Sequence, residues 1–217
     1  TDNLYLIGKH NPKSNPSITK KRWRILKGKL NKINSVWIGF KLWSVIWFWK
    51  FIFAIKSGVL RSSKEWVLTS DADLSVSLKH IVNWFKKKEI LIKNCAYFAN
   101  RNHRHSKLNA HLHRKVIGFF FHSLFKIMFM NSISFIEDTQ CGFKLYNKYY
   151  IKKIFSKMTE NGFVHDIEIS ILLYKKNIDI KQMPVKWIFG KTSRVSLVKD
   201  SVLMFFKIFI LKLRYKM

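Results

Sequence analysis

From about residue 65 onward, apolar and polar positions form an orderly pattern that predicts strands and helices in turn. The apolar run at 66–69 ends in a polar turn, which is typical of a buried parallel strand. Residues 77–88 place apolar side chains on one side of a helix and end in three lysines, which suits the helix dipole. A second strand is predicted over 90–98. Strands alternating with helices indicate an α/β fold with a mostly parallel sheet.

The first fifty residues do not share this pattern. Between Asp2 and Glu65 there is no acidic residue, and five of the eight tryptophans fall in this part of the chain. Natural globular segments rarely have such a composition. We therefore predict a boundary at residue 52, with 1–52 as an atypical basic and aromatic segment of foreign or out-of-frame origin. A basic extension lying on a membrane surface is the alternative, because interfacial helices have a similar composition.

The charge of the chain indicates a polyanionic partner. Its formal net charge is +29 with only 12 acidic residues, so nucleic acid, an anionic membrane or phosphorylated substrates would have to neutralise the surface.

Cys95 and Cys141 lie far apart and offer neither a metal-binding spacing nor a disulfide framework, which fits a reducing, cytosolic compartment. The apolar stretch at 36–55 contains Lys41 and Lys50, and burying each at mid-bilayer would cost roughly 2.5–3.5 kcal/mol. We therefore do not predict a transmembrane helix there.

Because acidic residues are scarce, carboxylates at the ends of apolar runs are candidates for chemistry. Asp71 and Asp73 follow the strand predicted at 66–69, where an open α/β sheet binds its ligands. Two carboxylates separated by one residue can approach one hard cation such as Mg²⁺ or Mn²⁺. Asp166 opens a helix predicted over 166–175. A capped turn is the alternative for the first pair, and a plain N-cap is the alternative for Asp166.

Three acidic motifs occur in a fixed order, and two further strings follow them. The motifs are Asp71-Ala72-Asp73, Asp138-Thr139-Gln140-Cys141-Gly142-Phe143-Lys144 and His165-Asp166-Ile167-Glu168, and the strings are Met183-Pro184-Val185-Lys186-Trp187 and Gly190-Lys191-Thr192-Ser193-Arg194. This order resembles the family 2 glycosyltransferases that load a sugar onto dolichyl or another polyprenyl phosphate. The resemblance covers about residues 54–215, and the string at 138–144 is its most specific part.

The resemblance implies a fold and a reaction. It implies a GT-A-type, Rossmann-like sheet flanked by helices over 53–217, incomplete at the N-terminus because nothing matches the family's first strand and nucleotide-base turn. It also implies an inverting transfer of a hexose from a nucleoside diphosphate sugar, UDP-glucose, to a polyprenyl phosphate. The catalytic carboxylates it implies are Asp166, which would orient or deprotonate the acceptor, and Asp138, in the loop under the donor sugar. Glu168 is expected to point elsewhere, and His165 stands where the family usually has Phe.

The same resemblance assigns residues to the donor side. Arg101, Lys191 and Arg194 would face the donor phosphates, and Gln140 would face sugar hydroxyls. Asp71 and Asp73 would hold Mg²⁺ or Mn²⁺.

The C-terminal segment predicts a membrane surface as a partner. Residues 202–213 are almost wholly apolar, yet a helix of this length spans only about 18 Å, too short for about 30 Å of hydrocarbon. We expect an interfacial helix, and hence a peripheral or monotopic protein on the cytoplasmic face of a membrane.

Two alternative functions remain: a catalytically inactive remnant, since the base-binding strand is unmatched, and a basic RNA-binding protein, for which the charge alone argues. The motifs match no nucleic-acid module, so we expect no nucleic-acid partner.

Overall fold

The computed structural model describes residues 36–41, 48–71, 74–86, 92–109, 122–160, 162, 164–188 and 197–217. Residues 122–128 are helical. The remaining elements are, in chain order, β1 (Val36–Lys41), α1 (Phe48–Arg61), β2 (Trp66–Asp71), α2 (Lys79–Lys86), β3 (Cys95–Asn100), β4 (Lys107–Asn109), β5 (Lys144–Asn147), α3 (Lys148–Lys157), α4 (His165–Tyr174), β6 (Asp179–Pro184), β7 (Lys186–Ile188) and α5 (Leu197–Tyr215).

The main sheet has five strands in the order β1-β2-β5-β3-β6. β1 pairs with β2 and β3 pairs with β6 in parallel, whereas β5 runs antiparallel to both of its neighbours, β2 and β3. β4 and β7 form a separate parallel pair. The α/β class predicted from the sequence is confirmed, with a mixed sheet, and the GT-A type stays a prediction.

The predicted elements are close to those observed, with one clear displacement. β2 contains the strand predicted at 66–69, and α2 lies within the helix predicted at 77–88. The strand predicted at 90–98 instead begins at Cys95. Asn94 precedes it in a turn, where its side chain donates to the Asn177 carbonyl at 3.1 Å and its carbonyl accepts from the Asp179 amide. Asparagine favours turns over strand interiors, so the strand starts only after it.

Part of the predicted atypical segment takes part in the sheet. Residues 36–41 form β1 at the edge of the main sheet, parallel to β2, and α1 begins at Phe48, ahead of the predicted boundary at 52. Residues 1–35 lie outside the described residues. The foreign origin of 1–52 therefore stays a prediction.

The sheet separates two apolar clusters because successive strand side chains point to opposite faces. In β3, Ala96 and Phe98 join the cluster under α1, α3 and α4, whereas Cys95 and Tyr97 join the cluster under α2. Helices therefore cover both faces of the sheet, and the carboxyl ends of β2 and β3 are left as one of its rims.

α5 packs on the first of these clusters with one side only. Ile208 and Leu211 are buried against it, and the Tyr215 hydroxyl donates to the Glu168 carboxylate at 2.7 Å. The Lys207 amine lies 3.2 Å from a Glu160 oxygen. Large apolar side chains remain exposed elsewhere on the helix: Leu203, Phe205, Phe206, Phe209, Ile210 and Leu213. Among the described residues no helix combines the length and apolar character needed to cross a membrane.

Candidate active site

The candidate site forms where β2 and β3 end and where the string at 138–144 enters the sheet as β5. Thr69 pairs with Lys144 in the antiparallel register of β2 and β5. Continuing this register by two residues places Gly142 opposite Asp71, the last residue of β2. The binding string predicted from the sequence is therefore held against the carboxyl end of β2 by strand pairing.

Gly142 is needed at this position because it lies against the Asp71 side chain. A Cβ atom added to Gly142 would lie 2.8 Å from Asp71 Cγ, closer than real Cβ atoms come to other heavy atoms. The Thr69 hydroxyl donates to the Gly142 carbonyl at 3.0 Å and keeps the loop in place. A side chain here would push the loop off the Asp71 carboxylate.

Asp71 is the described part of the predicted metal site. Its carboxylate suits the oxygen preference of Mg²⁺ and Mn²⁺, and a Cβ at Gly142 would occupy the space beside it. Asp73 lies outside the described residues, and within them no group of three or more His, Cys, Asp or Glu side chains could hold a metal ion. The chemistry of Asp71 fits a divalent cation, and the cofactor stays a prediction.

Asp138, which is buried, and Arg101, which is half-buried, form a bidentate ion pair. Arg101 Nε lies 2.7 Å from Asp138 Oδ2 and Nη2 lies 2.8 Å from Oδ1, while the Arg101 amide donates to Oδ2 at 2.9 Å. The amides of Gln140 and Cys141 add longer bonds to Oδ1, at 3.2 Å each. Burial by itself would raise the Asp138 pKa, but the Arg101 charge and its hydrogen bonds outweigh burial and lower it. Asp138 is thus an ionised carboxylate that orders the loop and engages Arg101, the predicted phosphate ligand.

Gln140 carries a donor group that no described residue satisfies. Its side-chain nitrogen Nε2 is buried and makes no hydrogen bond to the described residues. Buried polar atoms are nearly always satisfied, so an orphan donor in a binding loop suggests a group supplied by a ligand. Burial raises the pKa of the neighbouring Cys141 thiol to about 12, which disfavours the thiolate form that a nucleophile requires.

Asp166 is buried near the start of α4 and is paired with Lys144. Lys144 Nζ lies 2.5 Å from Asp166 Oδ1 and donates to the Thr139 carbonyl at 2.7 Å. Val164 is the N-cap residue of α4 and makes no side-chain capping bond. The alternative that Asp166 is a plain N-cap is therefore wrong: Asp166 lies inside the first turn, and its carboxylate contacts a strand residue.

His165 lies close to the same carboxylate oxygen that Lys144 contacts. Its Nδ1 lies 2.8 Å from the Gly162 carbonyl and its Nε2 lies 3.4 Å from Asp166 Oδ1. A carbonyl can only accept, so Nδ1 carries the hydrogen. His165 replaces the phenylalanine expected from the resemblance, and it puts a second polar group beside Asp166.

Glu168 points away from this site, as expected. Its carboxylate accepts from the Thr159 amide and hydroxyl, the Glu160 amide and the Tyr215 hydroxyl. It thereby ties the start of α4 to the loop before it and to the C-terminal helix.

A small cavity connects two of the predicted motifs. It is lined by Thr69 and Gly142 on the donor-loop side, by His165 and Asp166 on the acceptor side, and by apolar residues: Ile55, Tyr146, Phe155 and Ile169. Asp71, Arg101 and Asp138 lie at the adjoining rim, close enough for their charges to act on the Cys141 thiol. The structure thus brings together those predicted site residues that it describes, whereas Asp73, Lys191 and Arg194 lie outside the described residues.

The sequence interpretation missed Lys144 as a site residue. The signal was available, because Lys144 is the last residue of the most specific string and begins a strand in which every residue is buried. A lysine is almost never fully buried unless it is paired.

No protein-family model matches the chain. Curated relatives named dolichyl-phosphate beta-glucosyltransferase share significant similarity with it. The protein of Saccharomyces cerevisiae is 37% identical over 102 residues, covering 47% of this chain and 30% of its own length. That of Dictyostelium discoideum is 26% identical over 168 residues, covering 75% of this chain and 50% of its own length. The human protein is 26% identical over 143 residues, covering 62% and 42%.

The chain thus spans between about a third and a half of the length of these curated relatives. Their names confirm the resemblance, predicted from the motifs, to the family 2 glycosyltransferases that act on dolichyl phosphate.

Proposed function

We propose that the chain carries the acceptor carboxylate and part of the donor site of a transferase that moves a hexose from a nucleoside diphosphate sugar to dolichyl or another polyprenyl phosphate. The observation that carries this proposal is the Lys144–Asp166 ion pair. It joins the two most informative motifs, 22 residues apart in sequence, at one cavity. The names of the relatives favour glucose as the sugar, and UDP-glucose is the donor that we propose.

The proposed reaction is a single displacement. An oxygen of the acceptor phosphate attacks the anomeric carbon of the sugar, the bond between that carbon and the nucleoside diphosphate oxygen breaks, and the electron pair leaves with the diphosphate. Asp166 orients the acceptor phosphate or takes its proton. The Gln140 Nε2 donor would meet a sugar hydroxyl, and the Asp138–Arg101 pair would hold the loop that carries it. Attack from the face opposite the leaving group inverts the anomeric centre.

A divalent cation, Mg²⁺ or Mn²⁺, would be held by Asp71 and Asp73. Bound there, it would neutralise charge developing on the leaving diphosphate.

The proposal is tested with the whole chain in detergent micelles containing dolichyl phosphate, Mg²⁺ and UDP-glucose labelled in the sugar. We expect label to enter the organic phase as a glycolipid, and we expect less from GDP-mannose or UDP-N-acetylglucosamine. No transfer from any of the three donors would refute the activity and favour the inactive remnant. Tight RNA binding that falls steeply with salt, in the absence of transfer, would favour the RNA-binding alternative instead.

We also propose that the protein lies on the cytoplasmic face of a membrane through the exposed side of α5. Ile208 and Leu211 fix the opposite side of this helix to the domain, so Phe206 and Ile210 are free to enter the interfacial region. A net charge of +29 complements an anionic leaflet.

The membrane proposal is tested by flotation with vesicles of phosphatidylcholine and phosphatidylserine. The double change Phe206→Lys and Ile210→Lys should lower the bound fraction at least several-fold, because both side chains would have to leave the acyl region. Tyr149→Lys, at a similarly exposed aromatic residue outside α5, is the matched control. Unchanged flotation of the double variant would refute the assignment.

A further inference from the structure

Lys144 is a lysine whose whole side chain is buried, with 0% exposure. The chain has 41 lysines and arginines for its surface, so burying this one requires a local reason. Its ammonium donates to Asp166 and to the Thr139 carbonyl, and it lies 4.7 Å from the centre of the Phe98 ring. All three contacts suit a charged amine that has lost its water.

These contacts connect two parts of the candidate site. Thr139 follows Asp138, which holds Arg101 at the end of β3, whereas Asp166 belongs to the first turn of α4. Lys144 contacts both, so this side chain connects Asp166 directly to the donor loop.

Among the described residues that line the cavity, His165 and Tyr146 are the other titratable groups beside Asp166, and neither carries a permanent positive charge. The Nδ1 hydrogen of His165 is committed to the Gly162 carbonyl, so a neutral imidazole presents a lone pair, not a donor, to Asp166 Oδ1. Burial and then the Asp166 charge raise the pKa of Tyr146 well above its usual value, so its phenol stays neutral.

We infer that Lys144 is the positioning residue for Asp166: its ammonium keeps the carboxylate ionised and fixes its place beside the donor loop. Only the purpose of this positioning, which is to present Asp166 to the acceptor phosphate, rests on the proposed function. The ion pair itself can be tested without the reaction.

The first test follows the Asp166 carboxyl carbon by NMR as a function of pH, with the signal assigned by its loss in Asp166→Asn. In Lys144→Met the carboxyl should take up a proton at a pH about one to three units higher than in the unchanged chain, because the neighbouring positive charge is gone. Lys144→Arg keeps the charge and should titrate like the unchanged chain. Identical titration of the Met variant and the unchanged chain would overturn the inference.

The second test keeps Lys144 and covers the case in which Lys144→Met does not fold. In the unchanged chain, the ammonium should give a slowly exchanging ¹⁵N signal, since it is buried and hydrogen bonded. Asp166→Asn, which preserves shape, should shift that signal or abolish its protection. The same protected signal in both proteins would show that Asp166 does not hold the ammonium.

Kinetics then separate this inference from the proposed function. If the chain transfers sugar, Lys144→Met should lower kcat by a larger factor than it raises the KM for the donor, because the acceptor carboxylate loses its ion pair whereas the donor loop loses one hydrogen bond and keeps the Asp138–Arg101 pair. A raised donor KM with unchanged kcat would overturn the positioning role. If the unchanged chain transfers nothing, the proposed function fails, and the two NMR results still decide whether Lys144 governs Asp166.

Discussion

Asp166→Asn is the most informative single change in this protein. The substitution keeps the size and shape of the side chain but removes its charge and its ability to take a proton from the acceptor. Because Val164, not Asp166, caps α4, the capping ability of asparagine has no bearing on the result. Any loss of turnover must therefore come from the carboxylate itself or from the stability of the site.

We expect turnover at saturating donor to fall by about 10²–10⁴-fold, the usual contribution of a positioned general base. This factor corresponds to about 2.7–5.4 kcal/mol of transition-state stabilisation. Donor binding should be unchanged, since Asp166 lies on the acceptor side of the cavity.

The same substitution also affects stability. The amide oxygen of the introduced asparagine would still accept a hydrogen bond from Lys144, but the buried ammonium would lose its counter-charge, and breaking a buried pair in this way costs about 3–5 kcal/mol. Thermal unfolding must therefore accompany the assay, and turnover must be measured well below the melting temperature of the variant.

Glu168→Gln is the matched control. Glu168 lies two residues further along α4 and is equally buried, but it contacts Thr159, Glu160 and Tyr215 in place of the cavity. We expect this control to lose stability and to retain turnover. If Asp166→Asn shows near-normal turnover, the acceptor role is wrong, and Asp138 becomes the carboxylate to test next.

Two further predictions concern the donor loop. Gly142→Ala should weaken Mg²⁺-dependent binding of UDP-glucose, measured by calorimetry, because the new Cβ would displace the Asp71 carboxylate; unchanged affinity would contradict the predicted metal site. The pKa of Asp138 is lowered in the folded protein, so its contribution to stability is complete above the ordinary carboxyl value of 3.8 and is lost as the pH falls through the lower folded-state value. Melting curves should show Asp138→Asn destabilised at neutral pH, with the difference from the unchanged chain shrinking below about pH 4; a constant difference would argue against the Arg101 pair as its cause.

The elements that could be predicted are those whose apolar pattern is long and continuous. β2 follows from a single apolar run, and α2 follows from its one-sided spacing. The predicted start of β3 is too early because apolar residues continue through 90–92, whereas Asn94 interrupts them with a turn whose partner, Asn177, is far away in the sequence. Local pattern contains no information about such a partner.

β5 could not be predicted from the sequence, and the reason is physical. It has only four residues and begins with a lysine, so neither its length nor its polarity is typical of a central strand. Its place in the sheet depends on antiparallel pairing with both β2 and β3, which lie far earlier in the chain. Non-local pairing of this kind overrides local propensity.

The placement of β5 also explains why the motifs converge. An antiparallel strand inserted between β2 and β3 necessarily enters the sheet at the rim where its two neighbours end, so the loop before it must pass next to Asp71 and Arg101. The side chain of its first residue, Lys144, is then buried at the same rim and needs a carboxylate, which α4 supplies as Asp166. The sequence motifs identified the chemistry of these residues, but only the direction of one short strand accounts for their meeting at one rim of the sheet. A change that displaces β5 should therefore affect the donor loop and the acceptor carboxylate together.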